Sequence, residues 1–99
     1  MVSILVFGRH KQKFNIQMKK LFEYVDLIAR VHTLIMSSNT GTPDVFAYKL
    51  GISRSSLYNL LEEIQSYGIE IAYSRTRQTF FYVYPERVEI KIMIIQHEE

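Results

Sequence analysis

Residues 47–61 read AYKLGISRSSLYNLL. A glycine stands between two apolar runs, and Ile52, Ser53 and Arg54 follow it at once. Two short helices joined by a tight turn make three demands. They need a small residue where their backbones approach, a left-handed residue at the bend, and an apolar residue where the second helix packs back. Ala47, Gly51 and Leu57 meet these demands at spacings of four and six. Gly51 takes a positive φ without a Cβ penalty, Ala47 lets the helices come close, and Ile52 plugs the turn into the core. Ser53 is the next N-cap. Leu57, Leu60, Leu61 and Ile64 then form the apolar stripe of a helix over residues 53–67, which ends at Gly68, a natural residue after a helix end.

Upstream, Thr42-Pro43-Asp44 is a strong helix start. Thr42 accepts an N–H as N-cap, Pro43 suits the first helical position, and Asp44 favours the positive end of the dipole. Phe46, Ala47 and Leu50 face inward. Residues 37–41 (SSNTG) carry loop chemistry and close an earlier helix over residues 19–37. That helix has one stripe of Leu21, Val25, Ile28, His32 and Ile35 and a second of Tyr24, Leu27, Val31 and Leu34. The combined arc is wide for a small three-helix domain, so terminal strands or another subunit are expected to cover part of it. Met18-Lys19-Lys20 has the form of a translation start followed by a helix, with residues 8–17 as a polar, basic loop.

Downstream of Gly68 the period changes to two. Ile69, Ile71 and Tyr73 alternate with Glu70, Ala72 and Ser74, then Arg75-Thr76-Arg77-Gln78 leads into residues 79–84 (TFFYVY). This predicts a β-hairpin with a basic tip. Pro85-Glu86-Arg87 breaks it, and residues 88–95 (VEIKIMII) alternate again, with Val88, Ile90, Ile92 and Ile94 on one side. Residues 2–7 (VSILVF) form a β-branched, apolar strand. The two terminal strands are expected to pair with each other in one chain or to cross between two chains, because an exposed apolar edge invites association. The element order is β-ααα-ββ-β, an α+β fold.

At 99 residues, the chain has the length of one domain. Hydrophobic residues make up 47% and charged residues 22%, which places it among globular domains. There is no cysteine, hence no disulfide scaffold and no thiolate zinc site. That usage fits a cytoplasmic chain. No apolar stretch has the length of a membrane span. The formal net charge is +2, but Arg9, Lys11, Lys13, Lys19 and Lys20 fall within twelve residues that hold no acid, and the chain ends in Glu98-Glu99.

The turn Leu50-Gly51-Ile52-Ser53-Arg54, the Leu-rich helix after it and the basic hairpin resemble the winged helix-turn-helix of bacterial DNA-binding domains, particularly the DeoR-type regulators. The resemblance covers about residues 21–84. It implies a winged helix-turn-helix of three helices plus a β-hairpin wing, to which this chain adds N- and C-terminal strands. The domain map is then an extension over 1–17, the winged helix over 18–84, and a strand with an acidic tail over 85–99 that can serve dimerisation. The resemblance also implies a recognition helix in the major groove of double-stranded DNA. Arg54 would donate to guanine or to phosphate, and Thr42, Ser53, Ser55 and Ser56 would lie at the backbone. Asn59 would read an adenine edge, Tyr58 would touch sugar or a thymine methyl, and Arg75 and Arg77 would meet phosphate or the minor groove. The chain departs from the family in charge, since the helix carries one Arg against Glu62 and Glu63. Weak binding by one copy favours a homodimer. The expected role is transcription regulation or service to a mobile element, and the alternative is a winged-helix module for protein–protein contact.

No other chemistry competes. There is no nucleophile–base arrangement and no Gly-rich phosphate loop, and neither a cofactor nor a small-molecule ligand is evident. Glu62 and Glu63 point about 100° apart on a helix, the wrong geometry for paired acid–base work, so no enzyme is expected. His10, His32 and His97 have no metal-ligand spacing. His32, on an apolar stripe, is expected to be packed and hydrogen-bonded.

Overall fold

Between residues 2 and 6 and residues 88 and 92 the chain makes a parallel two-stranded ribbon, and nearly everything else is the connection between its strands. The computed structural model describes residues 2–6 and 16–92, with side chains described over 18–91. Strand β1 (Val2–Val6) pairs with β4 (Val88–Ile92) in the register Val2↔Val88, Ile4↔Ile90 and Val6↔Ile92. Parallel strands need a long crossover. Here the crossover holds helix α1 (Ile16–Met36), helix α2 (Pro43–Leu50), helix α3 (Arg54–Gln65) and an antiparallel hairpin of β2 (Ile71–Ser74) and β3 (Thr79–Tyr82). A short 3-10 turn, Pro85–Arg87, leads into β4. The architecture of the described residues is a small α+β fold with three helices, a two-stranded hairpin and a separate ribbon of terminal strands. The two terminal strands therefore meet within one chain.

The apolar stripes of the helices converge. Val31, Phe46 and Leu57 are fully buried, and Ile28, Ile35, Ala47, Leu50, Leu60, Leu61, Ile64 and Ile69 join them with Phe80 and Tyr82. Both stripes of α1 contribute, because Tyr24, Leu27 and Leu34 are half-buried against the same cluster. Phe80 stands edge-on to Phe46 at 5.4 Å and to Tyr73 at 4.8 Å, which joins the hairpin to the helices. His32 lies 2.8 Å from the Tyr82 hydroxyl through Nδ1, so the histidine is packed and hydrogen-bonded as its stripe position implied. Burial lowers the His32 pKa from its ordinary value and raises that of Tyr82.

A second link is polar. Thr40 and Thr79 are both buried. The Thr40 hydroxyl accepts the Phe80 N–H at 2.8 Å, and the Thr79 hydroxyl accepts the Thr40 N–H at 3.3 Å. The two oxygens lie 3.2 Å apart. Two threonine side chains thus satisfy two buried backbone donors where the α1–α2 loop passes β3.

Several element boundaries differ from the sequence expectation. Helix α1 begins at Ile16, not after Met18, so the boundary drawn at residue 18 falls inside a helix, and Ile16 and Gln17 are not loop. Nothing between Ile16 and Lys19 breaks a helix, since no Gly or Pro intervenes. Helix α3 ends at Gln65 and not at Tyr67, because the chain tightens there into bonds from the Tyr67 N–H to Ile64 O and from the Gly68 N–H to Gln65 O. Strand β3 stops at Tyr82, short of Tyr84. Residues 93–95 of the last apolar run, the terminal acids, His10, His97 and the basic positions Arg9, Lys11 and Lys13 lie outside the described residues.

Candidate nucleic-acid interface

The turn between α2 and α3 sets the geometry of the candidate site. Gly51 has φ +73°, its N–H reaches Tyr48 O at 3.0 Å, and the Ile52 N–H reaches Ala47 O at 3.1 Å. That pair of bonds is a Schellman motif, which requires a left-handed residue at the position of Gly51. Ile52 is half-buried against the core, as the motif's apolar contact. A Cβ on Gly51 would meet nothing within 4 Å. Glycine is required there for its backbone conformation alone, and the close-approach role expected at the turn belongs to buried Ala47. Thr42 and Ser53 cap the two helices: the Val45 N–H bonds Thr42 Oγ1 at 3.3 Å, and the Ser56 N–H bonds Ser53 Oγ at 3.0 Å.

These caps change what the predicted contact residues can offer. Thr42 is half-buried and its oxygen already serves Val45. Ser53 accepts from Ser56 and donates to the Ser56 hydroxyl at 2.9 Å, so the two serines act as one unit. Ser55 and Asn59 are exposed and, with Glu62, follow the i, i+4, i+7 line opposite the buried leucines. Ser55, Asn59 and Glu62 therefore share the outward face of α3, a face without a cation along its centre. Arg54 and Tyr58 border it.

Arg54 is held by two neighbours. Its Nη1 donates to Asp44 Oδ1 at 3.2 Å, and its guanidinium carbon stands 5.7 Å from the centroid of the Tyr58 ring. Tyr58 first and Asp44 next raise an already high arginine pKa, so the side chain stays charged. Both partners of the ion pair are exposed, 56% for Arg54 and 75% for Asp44. Its sequence position gives Asp44 a role at the α2 helix dipole alone. Ten positions separate it from Arg54, and no local spacing rule connects them.

At the hairpin, Arg75 and Arg77 sit in the exposed turn at 75–78. The Arg77 guanidinium lies 5.7 Å from the Phe81 ring centroid, and the Arg77 backbone N–H donates to Ser74 Oγ at 3.1 Å. A groove of about 370 Å³ runs between α3 and the hairpin, lined by Tyr58, Leu61, Glu62, Gln65, Ile71 and Tyr73, among others. Two other cations have structural tasks. Lys49 Nζ donates to Asn39 O and Arg30 to Lys49 O, both at 2.7 Å, which satisfies carbonyls at the end of α2 and in the preceding loop. On the other side of α3, burial and the adjacent Glu63 carboxylate push the Tyr24 hydroxyl up to about 12.

No group of three His, Asp or Glu side chains among the described residues is placed to hold a metal ion. No helix among them is long and apolar enough to cross a membrane. The comparisons with known proteins yield no assignment: no family model, no curated protein and no solved structure matches the chain.

Proposed function

We propose that this chain is a winged helix-turn-helix protein that binds double-stranded DNA, with α3 as recognition helix and the β2–β3 hairpin as wing. The observation that carries the proposal is the Gly51 turn. It joins a capped α2 to a capped α3 and leaves Arg54, Ser55, Tyr58 and Asn59 exposed along one helix, with Arg75 and Arg77 exposed at the hairpin tip. In the proposed complex Arg54 and Asn59 meet base edges. The Ser53–Ser56 pair, Ser55, Arg75 and Arg77 meet phosphate and sugar, and Thr42 supports α2 rather than touching DNA. A homodimer, which sets two such helices on two half-sites, completes the proposal, with transcription regulation or mobile-element function in a bacterial cytoplasm as its setting.

Two observations favour a second reading, a winged-helix module for protein contact. The outward line of α3 carries Glu62 and no cation, and Tyr48 on α2 is 85% exposed. Binding of the chain to mixed-sequence duplex at two salt concentrations separates the two. With roughly three to five phosphate contacts per subunit, the log–log salt slope is about −3 to −4.5. Arg54→Ala is expected to cost about 1–3 kcal/mol on the preferred site, whereas Arg77→Ala weakens all sequences alike. A chain that binds no duplex even at low salt belongs to the protein-contact reading.

A further inference from the structure

We infer that Asp44 is a selectivity residue of this interface: its carboxylate anchors Arg54 and repels phosphate, which reserves the guanidinium for a neutral base edge. The inference rests on the DNA-binding reading above.

Three features lead to it. The contact between Arg54 Nη1 and Asp44 Oδ1 engages one corner of a guanidinium that has five N–H donors. Enough donors remain for a bidentate bond to guanine O6 and N7. The Tyr58 ring beside the same guanidinium, four residues on along α3, restricts it from a second direction. The pair is also too exposed to be explained by stability, since ion pairs of this kind contribute little to folding.

Charge supplies the selectivity. A phosphate that approaches Arg54 must also approach the Asp44 carboxylate, a like charge within a few ångströms. A guanine edge carries no net charge and meets no such repulsion. The remaining charges on α3 are Glu62 and Glu63, and Lys49 of α2 is turned to Asn39 O. No described cation on these two helices offsets Asp44 except Arg54 itself. The poverty of positive charge on α3 then has a consequence: non-specific attraction is suppressed where sequence is to be read, and cationic contact with phosphate is left to the wing.

The test compares the full chain with Asp44→Asn on two duplexes, one selected from a randomised pool and one of scrambled sequence, across a salt series by fluorescence anisotropy. Asp44→Asn is expected to tighten binding to the scrambled duplex by about threefold to tenfold at low salt. It is expected to steepen that salt slope by up to about 0.9. The selected duplex gains less, so the ratio between the two falls. In an Arg54→Gln background, Asp44→Asn should leave the ratio unchanged. Equal tightening on both duplexes, or the same fall in ratio without Arg54, overturns the inference while leaving DNA binding intact. A wild-type chain that binds neither duplex overturns both. Asp44→Ser, which keeps a residue suited to a helix start, repeats the measurement if the asparagine variant fails to fold.

Discussion

Replacing Thr79 with valine tests whether the buried threonine pair fixes the hairpin to the helices. The substitution keeps shape and volume, so no cavity opens, and it removes one hydroxyl. That hydroxyl accepts the Thr40 N–H at 3.3 Å, lies 3.2 Å from the Thr40 hydroxyl and donates to Phe80 O at 3.1 Å. The critical loss is the first. Thr40 is fully buried, and its N–H would be left without a partner, which costs about 1–3 kcal/mol. For a domain of this length each kcal/mol lowers Tm by about 4–8 °C. Thr40→Val has a comparable effect by the reciprocal route, since it orphans the Phe80 N–H at 2.8 Å. Each hydroxyl proton goes to a backbone carbonyl, that of Thr79 to Phe80 O and that of Thr40 to Gly41 O at 2.9 Å, so the two substitutions orphan different backbone donors and the double variant is expected to lose about their sum. The assays are urea unfolding of the four proteins and amide hydrogen exchange. Exchange gives the sharper readout, because Thr79→Val should speed the Thr40 amide beyond what the fall in global stability explains. A loss under about 0.5 kcal/mol, with Thr40 protection scaling only with global stability, refutes the assigned role.

Two further predictions concern the turn and the half-buried histidine. Gly51→Ala is expected to destabilise the chain by about 1 kcal/mol in chemical denaturation, from left-handed strain partly offset by a stiffer unfolded chain, and Gly51→Asn by less. A large loss in both variants would indicate a steric role, which the open space around the position argues against. Because burial lowers the His32 pKa, the unfolded chain binds more protons just below the ordinary value of 6.5. The His32 contribution to stability is therefore present above about pH 6.5 and falls as the solution is acidified from there toward the folded-state pKa, by at most about 1.4 kcal/mol per pH unit. Denaturation at several pH values should show this slope in the wild type and a reduced one in His32→Gln.

Local pattern determined which residues form the helices and which face inward. Leu57, Leu60, Leu61 and Ile64 are buried where the 3.6-residue period puts them, and Gly51 is left-handed where the turn chemistry demands it. These features depend on a few neighbouring side chains, so a linear sequence contains them. The ends of α1 and α3 were less legible. At Ile16 no breaker marks the start, and beyond Gln65 the chain departs from the α-helix by a change in hydrogen bonding rather than by a residue that forbids it. Of the candidate site, the exposed face of α3 and the basic hairpin tip followed from periodicity. The use of the Thr42 and Ser53 oxygens as caps also followed, although their capping limits what they offer a ligand.

The pairings between distant positions come from the folded chain. Residue pattern alone sets the helices, the hairpin and their inward faces. It left open whether the terminal strands meet within one chain, and the fold sets them side by side in parallel register. Thr40 and Thr79 are unremarkable polar residues until the α1–α2 loop is laid against β3, where their hydroxyls take over the pairing of backbone donors. Asp44 follows the same logic. Its helix-start chemistry is local, but its hold on Arg54 exists only because the Gly51 turn brings the first turns of two helices together. Periodicity reports what a residue shares with neighbours a few positions away. Contacts made by folding the chain back on itself depend on the whole set of packed surfaces, and no local spacing encodes them.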